Sequence, residues 1–397
     1  MQHMLRHWLQ LAMCAGIGPI LIRRLLDAAG SAEAACAADA TLLRSIEGIG
    51  RAKASEIAAA MRRAGDEASR ELARAAAGGV SLICPDDATY PPLLKHIPDP
   101  PPVLYIKGAL EPRDLNAIAI VGSRKCSFYG REQAERFASL LAGAAFTVIS
   151  GGARGIDSAA HRGAIAHKQG RTIAVLGSGV DVPYPPENAN LFDQIAQRGA
   201  VISEYPLGTP PLAENFPRRN RIVSGMSRGV LVIEADERSG ALITARQACD
   251  DHGRPVFALP GRVDQSTSAG PHRLIREGAV LVTKLEDILE GLGPVPEGVI
   301  APELFTDSAS DEPTPEDVGV GVADQARDEV LLAALSDTQR VILAQMGSDA
   351  LDVDALIERT ELPAHQVLQE LTFLSIKGMV RRVDGQSFVR SRAGGAA

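Results

Sequence analysis

The stretch SGGARGID at residues 150–157 follows an apolar run, Thr147 to Ile149, and precedes a helical pattern. The stretch VGSR at residues 121–124 has similar surroundings, since apolar residues lead into it and a helical pattern follows. Glycines let backbone N–H groups approach an anion, and helix N-termini add partial positive charge. The arginine in each turn adds a bidentate phosphate donor. Together the two turns predict an α/β sheet whose carboxyl edge binds phosphate.

Seven apolar, strand-like runs alternate with helical patterns up to about residue 290. Near-continuous apolar strands separated by helices are typical of a parallel sheet that is covered on both faces. Ligands of such sheets bind beyond the carboxyl ends of the strands. The predicted fold class is therefore α/β, with a central doubly wound Rossmann-like domain at residues 85–292. The predicted strands are residues 117–121, 147–150, 172–176, 201–203, 230–234, 255–259 and 280–283.

Two regions precede the predicted sheet. Residues 1–80 are alanine-rich and helical in pattern, interrupted by GIGP at residues 16–19 and GIG at residues 48–50. Such turns occur in helix-hairpin-helix units, but a small helical bundle also uses glycine as a tight connector. Both interpretations stay open, and the scarcity of basic residues near the first turn favours the bundle. The proline-rich passage at residues 90–105 predicts a rigid connector rather than the interior of a sheet.

Two further regions follow the predicted sheet. Residues 293–326 are acidic and rich in Pro, Gly and Ser, which predicts a disordered linker. Three helical patterns then precede two alternating runs joined by Asp384 and Gly385, a strong hairpin signal. This order predicts a winged-helix domain at residues 327–392. Its third helix carries side chains poorly suited to reading a major groove: His365, Gln366, Gln369 and Glu370.

The net charge of −8 does not exclude a nucleic-acid partner. Residues 297–324 contain eight acidic residues and no Lys or Arg, so the rest of the chain is formally neutral. Screening limits electrostatic effects to about 10 Å at ordinary salt, so a local basic groove dominates its own neighbourhood.

The sequence predicts a cytoplasmic protein without a membrane partner. No apolar run reaches the roughly 18 residues of a membrane span, and the first residues lack the pattern of a secretory signal. The five cysteines are scattered without a CxxC pair, which fits a reducing compartment and argues against a disulfide framework or a zinc site.

Arginines are concentrated near the predicted strand ends. The stretch NFPRRNR at residues 215–221 places three arginines, two amides and an aromatic ring in seven residues, and Arg246 follows in the next helical pattern. One phosphate needs one or two arginines, so this number indicates a polyanion. Phe216 beside the basic cluster suits stacking on the bases of a single strand.

Other roles for these residues remain open. Core packing is the alternative for Phe216, and an internal ion pair with Glu204 or Glu234 is the alternative for Arg219 and Arg221. The two glutamates also end strands, where they could act as general bases of a nucleotide hydrolase. Asp157 and His161 lie four residues apart and could pair, but no nucleophile or third ligand accompanies them. No catalytic residue and no metal site is predicted.

Taken in order, these motifs resemble the DNA-processing protein A family, also called DprA or Smf. One departure is His272, which stands where the family usually has Asn and puts a local hydrogen bond in question. The resemblance is carried by VGSR at 121–124, SGGARGID at 150–157 with Ala160 and His161, TIAVLG at 172–177, SEYP at 203–206, NFPRRNRI at 215–222, Ser239 and Gly240 with TAR at 244–246, and Pro260 with Gly261.

The resemblance implies a single-stranded DNA-binding recombination mediator of natural transformation. Such a protein protects incoming strands and loads the RecA recombinase, forms a homodimer through the Rossmann-like domain, and needs no nucleotide cofactor. It also implies a SAM-like or helix-hairpin-helix domain in front and a winged helix behind. The residues expected to contact DNA are Gly122, Ser123, Arg124, Gly151, Gly152, Arg154, Phe216, Arg218, Arg219, Asn220, Arg221 and Arg246.

A nucleotide-processing enzyme is the competing hypothesis. Rossmann-like phosphoribohydrolases have similar glycine turns, but they also carry a Pro-Gly-Gly-x-Gly-Thr-x-x-Glu motif that positions a catalytic glutamate. That motif is absent from this sequence.

Overall fold

The computed structural model describes residues 2–292, 337–346, 351–360, 362–376, 380–382 and 387–390. The chain divides into two compact units, Met1–Pro302 and Glu303–Ala397. The predicted linker at 293–326 lies outside the described residues, and so does the Asp384–Gly385 turn. Among the helices that are described, none combines the length and apolar character that a membrane crossing requires.

A nine-stranded sheet forms the centre of the first unit, with the order β1-β2-β6-β5-β4-β3-β7-β8-β9. Strands β3 to β9 are parallel, which confirms the predicted fold class, and all seven predicted strands are present. The strands are β1 (Ser81–Ile83), β2 (Leu104–Gly108), β3 (Ala117–Val121), β4 (Thr147–Ser150), β5 (Arg171–Val175), β6 (Ala200–Ser203), β7 (Gly229–Val232), β8 (Val256–Ala258) and β9 (Val280–Leu281).

Thirteen α-helices are described in this unit, seven of them after β2. Their bounds are α1 (Gln2–Met13), α2 (Pro19–Ala29), α3 (Ala32–Cys36), α4 (Ala40–Ser45), α5 (Arg51–Ala77), α6 (Pro92–Lys95), α7 (Phe128–Gly143), α8 (Ile156–Ala166), α9 (Ala189–Arg198), α10 (Asn215–Gly225), α11 (Gly240–Arg246), α12 (Ala269–Arg276) and α13 (Leu285–Leu292).

Helices cover both faces of the sheet, as its apolar strands require. Because alternate residues of a strand point to opposite faces, β3 contributes to two separate cores. Ala119 and Val121 pack in a core with α10 and α11, whereas Ile118 and Ile120 pack with α7 and α8. All five residues of β3 are buried, which explains why its sequence is a continuous apolar run.

The proline-rich passage is only partly the connector that its sequence predicts. Its last residues begin β2, which pairs antiparallel with β6, so the prediction is wrong for Leu104 and Tyr105. Both side chains are almost completely buried. Three successive prolines at 100–102 end before the strand starts, and they therefore remove no hydrogen bond from the sheet.

The helices of residues 1–80 pack against the antiparallel edge of the sheet. Leu25 and Ile57 belong to an apolar core that also contains Tyr105 and Leu207 from the sheet region. The buried carboxylate of Glu71 on α5 accepts a hydrogen bond of 2.7 Å from the Leu207 N–H group. The two regions thus belong to one compact unit, and the predicted boundary at residues 80–85 stays a prediction.

Within its described residues, the second unit has three helices and three short strands around its own core. The strands are paired in the order β10-β12-β11, and the core includes Leu356, Leu371 and Phe388. This arrangement agrees with the predicted winged helix. The elements are α14 (Asp337–Gln345), β10 (Leu351–Asp352), α15 (Val353–Thr360), α16 (Ala364–Ile376), β11 (Val380–Arg382) and β12 (Ser387–Arg390).

A buried ion pair connects β5 to the segment that precedes β3. Arg171 is 4% exposed and Asp114 is 7% exposed, and the guanidinium Nε and Nη2 atoms donate to the two carboxylate oxygens at 2.6 and 2.8 Å. The Asp114 carboxylate also accepts hydrogen bonds from Thr147 Oγ1 and from the Glu111 N–H group. Four donors therefore depend on this single side chain.

Replacing Asp114 by Ala should destabilise the first unit by about 3 kcal/mol, the low end of the range for a broken buried pair, because the buried Arg171 charge keeps only the exposed Glu111 carboxylate as an ion-pair partner. Urea unfolding can be followed through the fluorescence of Trp8, the single tryptophan of the chain. Arg262→Ala breaks the exposed Arg262–Asp264 pair and should leave the free energy of unfolding almost unchanged. Equal effects of the two substitutions would contradict the role given to Asp114.

Candidate nucleic-acid interface

A cleft of about 710 Å³ opens at the carboxyl edge of the parallel sheet. It lies where the strand order reverses, since β3 has β4 on one side and β7 on the other. Ligands of doubly wound sheets bind in a crevice of this kind. Its lining includes Gly122, Ser123, Arg124, Lys125, Gly151, Ala153, Asp157, Tyr184, Phe216, Arg219, Asn220, Asp236, Arg238, Ser239, Gly240 and Thr244.

The first turn of the cleft is fixed between two neighbouring elements. The Ser123 N–H group donates to the Glu234 carbonyl at 2.7 Å, and the Ser123 carbonyl accepts from the Ile156 N–H group at 3.2 Å. A Cβ on Gly122 would lie 2.6 Å from Ile156 Cγ1, so only glycine fits at this position. The turn is therefore held rigidly against α8 and the end of β7.

The second turn needs glycine for its backbone conformation and for space. Gly152 and Gly155 have φ angles of +69° and +75°, and a Cβ on Gly155 would lie 2.3 Å from the Ser123 carbonyl oxygen. Asp157 accepts a hydrogen bond of 3.2 Å from the Ala153 N–H group. The two turns thus contact each other directly.

The backbone N–H groups of these turns are more occupied than the sequence suggests. Those of Ser123, Lys125, Ala153 and Ile156 already have acceptors within the protein. These four N–H groups are therefore not available to a ligand.

Arg124 in the first turn and Lys125 directly after it are both exposed. The Arg124 guanidinium lies over the Phe216 ring, with Cζ 5.2 Å from the ring centroid. The Phe216 ring in turn lies 5.6 Å from the ring of Tyr184 at an angle of 46°. Among the described residues no carboxylate forms an ion pair with Arg124. The cation–π contact orients the guanidinium and leaves it available for an anion.

Arg219 lies in the floor of the cleft rather than on its surface. The side chain is 3% exposed, and it donates a hydrogen bond to the Val175 carbonyl. Burial lowers the pKa of Arg219 to about 10, although the nearby Asp157 carboxylate opposes that shift. A Cβ on Gly151 would lie 2.0 Å from Arg219 Nη1, so the second turn rests on this guanidinium.

The expectation that Arg221 contacts DNA is not supported by its position. The side chain is 5% exposed, and its two Nη atoms donate to both carboxylate oxygens of Glu204 at 2.6 and 2.7 Å. Its Nε atom lies 2.9 Å from the Asp99 carboxylate. The ion-pairing alternative from the sequence is therefore correct for Arg221, which joins α10 to the end of β6 and to the proline-rich passage.

The other predicted contacts are not equally placed. Arg154 is half-exposed at the edge of the cleft and pairs with Glu187. Asn220 lines the cleft and donates to the Gly240 carbonyl at 3.3 Å. Arg218 and Arg246 are exposed, but neither lines the cleft. Arg246 is the last residue of α11.

Sequence reasoning missed several residues of the lining, among them the polar side chains of Lys125, Tyr184 and Arg238. Lys125 directly follows the predicted first turn, so extending that motif by one residue would have included it. Tyr184 and Arg238 occupy loops after β5 and β7, where no motif indicated their direction.

The candidate catalytic groups have structural roles. Glu204 pairs with Arg221, and the Glu234 carboxylate accepts from the N–H and hydroxyl groups of Ser127 at the start of α7. Asp157 and His161, which the sequence left as a possible pair, do not bond to each other: His161 Nδ1 lies 2.7 Å from Thr172 Oγ1, and Asp157 accepts from the Ala153 N–H group. Burial lowers the pKa of His161 to about 3, so its ring is neutral at pH 7.

His272, which stands where the family usually has Asn, still contacts the backbone of Gly261. Its Nε2 atom lies 3.0 Å from the Gly261 carbonyl oxygen and 3.3 Å from the Gly261 nitrogen. Within the described residues, the cleft contains no group of three His, Cys, Asp or Glu side chains close enough to hold a metal ion.

Comparisons with known proteins agree with this geometry. The family model for DNA recombination-mediator protein A matches residues 81–293, and the DprA winged-helix model matches residues 326–386. The chain is 35% identical to Protein Smf of Synechocystis, covering 97% of this chain and 98% of that protein. It is 40% identical to Protein Smf of Escherichia coli, covering 78% and 77% respectively.

The X-ray structure of DNA processing protein A from Streptococcus pneumoniae superposes with a TM-score of 0.64 at 35% identity, covering 72% of this chain and 97% of that one. The two structures share the Rossmann-like fold. The two family models cover the sheet domain and the winged helix of this chain. The chain belongs to the DprA/Smf family of DNA recombination-mediator proteins.

Proposed function

We propose that the protein binds single-stranded DNA in the cleft and acts as a recombination mediator. The observation that carries the proposal is the Arg124 guanidinium, which is solvent-exposed, oriented by the Phe216 ring and without a carboxylate partner among the described residues. Such a group binds a phosphate bidentately. Lys125 and Arg238 add two exposed positive charges along the same cleft.

Single strands suit this cleft better than a duplex does. Phe216 and Tyr184 lie side by side in the lining, and a ring of this kind can stack on the unpaired base of a strand whose phosphates contact the neighbouring cations. Stacking accepts every base because each has a π face. The proposed binding therefore lacks sequence specificity.

The mediator role rests on family membership together with this cleft. We infer that the protein protects incoming single strands in natural transformation, loads a RecA-type recombinase onto them, and works in the cytoplasm as a homodimer formed through the Rossmann-like domain. The match to a family described as DNA recombination-mediator proteins supports this role. The alternative of a phosphoribohydrolase has no support in the cleft, because Glu204 and Glu234 are engaged in structural contacts.

The protein should bind a single-stranded oligonucleotide at least tenfold more tightly than the matched duplex of the same length. The reason is that paired bases cannot stack on Phe216 or Tyr184. Fluorescence anisotropy at several salt concentrations measures both affinities. Equal or tighter binding of the duplex would reject the single-strand assignment.

Arg124→Ala should weaken single-strand binding by about 1.5–3 kcal/mol, the range for a hydrogen bond to a charged group. It should also reduce the slope of log affinity against log salt by about 0.7, the value for one single-strand phosphate. Arg124→Lys should restore only part of the affinity, since an ammonium group cannot bind in a bidentate fashion.

Arg246→Ala is the matched control for this substitution, because it removes an exposed arginine that does not line the cleft. Its affinity and salt slope should stay close to those of the unmodified protein. If Arg124→Ala lowers the melting temperature and leaves the salt slope unchanged, Arg124 has a structural role and the proposed site is incorrect.

The mediator role predicts faster assembly of RecA on single strands that are already coated with a single-strand-binding protein. The lag before DNA-dependent ATP hydrolysis by RecA measures that assembly. The unmodified protein should shorten the lag, and Arg124→Ala should shorten it less at equal concentration. Tight DNA binding with an unchanged lag would indicate a DNA scaffold rather than a mediator.

A further inference from the structure

A group of three metal-type ligands lies in the N-terminal helices, outside the cleft. It consists of His3 and His7 on α1 and Glu33 on α3, and their ligand atoms all lie within 4.8 Å of one another. We propose that this group binds a divalent transition-metal ion of the zinc class and that the ion fastens α1 to α3. The proposal is independent of DNA binding.

The spacing of the two histidines is the first argument. Residues four apart lie on the same face of a helix, so His3 and His7 present their rings side by side. The ring centroids are 4.6 Å apart in an edge-to-face arrangement. Two imidazoles in this relation can bind one ion through one nitrogen each, and imidazole selects zinc, copper or nickel over magnesium or calcium.

Glu33 supplies a third ligand from a separate element. It lies in the first turn of α3, which packs on α1 in the same apolar core. Two histidines and one glutamate are a known ligand set for zinc, with water in the fourth position. Because the ligands come from two helices that are distant in sequence, binding an ion here requires the folded arrangement.

The three side chains are free to close around an ion. Among the described residues, no hydrogen bond or ion pair engages the ring nitrogens of His3 and His7 or the carboxylate of Glu33. Zinc bonds of about 2.1 Å place tetrahedral ligand atoms about 3.4 Å apart, so the distances within the group must shorten by up to about 1.4 Å. His3 and Glu33 are exposed and can move, whereas the buried His7 provides a fixed point.

Sequence reasoning did not find this group, because its ligands are split between two helices and include no cysteine pair.

The test uses the full-length protein after treatment with a chelator and its removal. Isothermal titration with zinc chloride at pH 7.5 should show one site with a dissociation constant in the micromolar range or tighter. His3→Asn and Glu33→Gln should each weaken that site at least tenfold. Zinc should raise the melting temperature of the unmodified protein but not of these variants.

Two control variants separate this site from unspecific binding by the surface. His96→Asn and Glu56→Gln remove an exposed imidazole and an exposed carboxylate elsewhere, and both should bind zinc as the unmodified protein does. Bound Co²⁺ should give visible absorption of tetrahedral intensity that His3→Asn abolishes. Zinc affinities that are equal in all five proteins, or the absence of a site in the micromolar range, would overturn the proposal.

Discussion

The cleft depends on the two backbone hydrogen bonds of Ser123. Its N–H group donates to the Glu234 carbonyl after β7, and its carbonyl accepts from Ile156 at the start of α8. Ser123, two residues after the end of β3, is thereby connected to the segments that follow β4 and β7, the two strands next to β3. Glycine at 122 and 155 allows this approach, because a Cβ at either position would overlap with atoms of the opposing turn. The position of Arg124 at the cleft follows from this fixed turn.

The buried arginines show how the rest of the site is organised around that turn. Arg219 supports the second turn from below through Gly151 and bonds to the end of β5, and Arg221 fixes α10 to Glu204 after β6. Both residues belong to the same helix as Phe216. Their contacts therefore orient the aromatic ring on which Arg124 rests. Helix α10 thus contributes buried structural arginines beneath the cleft and an aromatic ring to its lining.

The sequence was sufficient to predict the strands in the parallel part of the sheet, but it was insufficient to predict those at the antiparallel edge. Strands such as β3 are buried on both faces, so they form continuous apolar runs that are easily recognised. Strand β2 begins two residues after Pro102, and its Tyr105 is buried in the core to which α5 contributes, although α5 is distant in sequence. A local pattern does not contain that information.

The same limit applies to the charges of the site. The sequence shows that residues 215–221 are rich in arginine, but the direction of each side chain depends on carboxylates and carbonyls from other elements. Arg221 and Arg218 differ in burial although they are only three residues apart. The N–H groups of the turns were likewise assigned to a ligand, whereas tertiary contacts use several of them.

The exposed charges that line the cleft determine how strongly the proposed DNA contact should depend on salt. Within the described part of the chain, the exposed cations of its lining are Arg124, Lys125 and Arg238, and the exposed carboxylate of Asp236 opposes them. Three phosphate contacts on a single strand correspond to a salt slope of about 2. Electrostatic attraction of this size is modest, so stacking on Phe216 and Tyr184 has to supply a large part of the affinity. Two such clefts in the proposed homodimer would then bind one long strand far more tightly than either cleft alone, because the second contact becomes intramolecular.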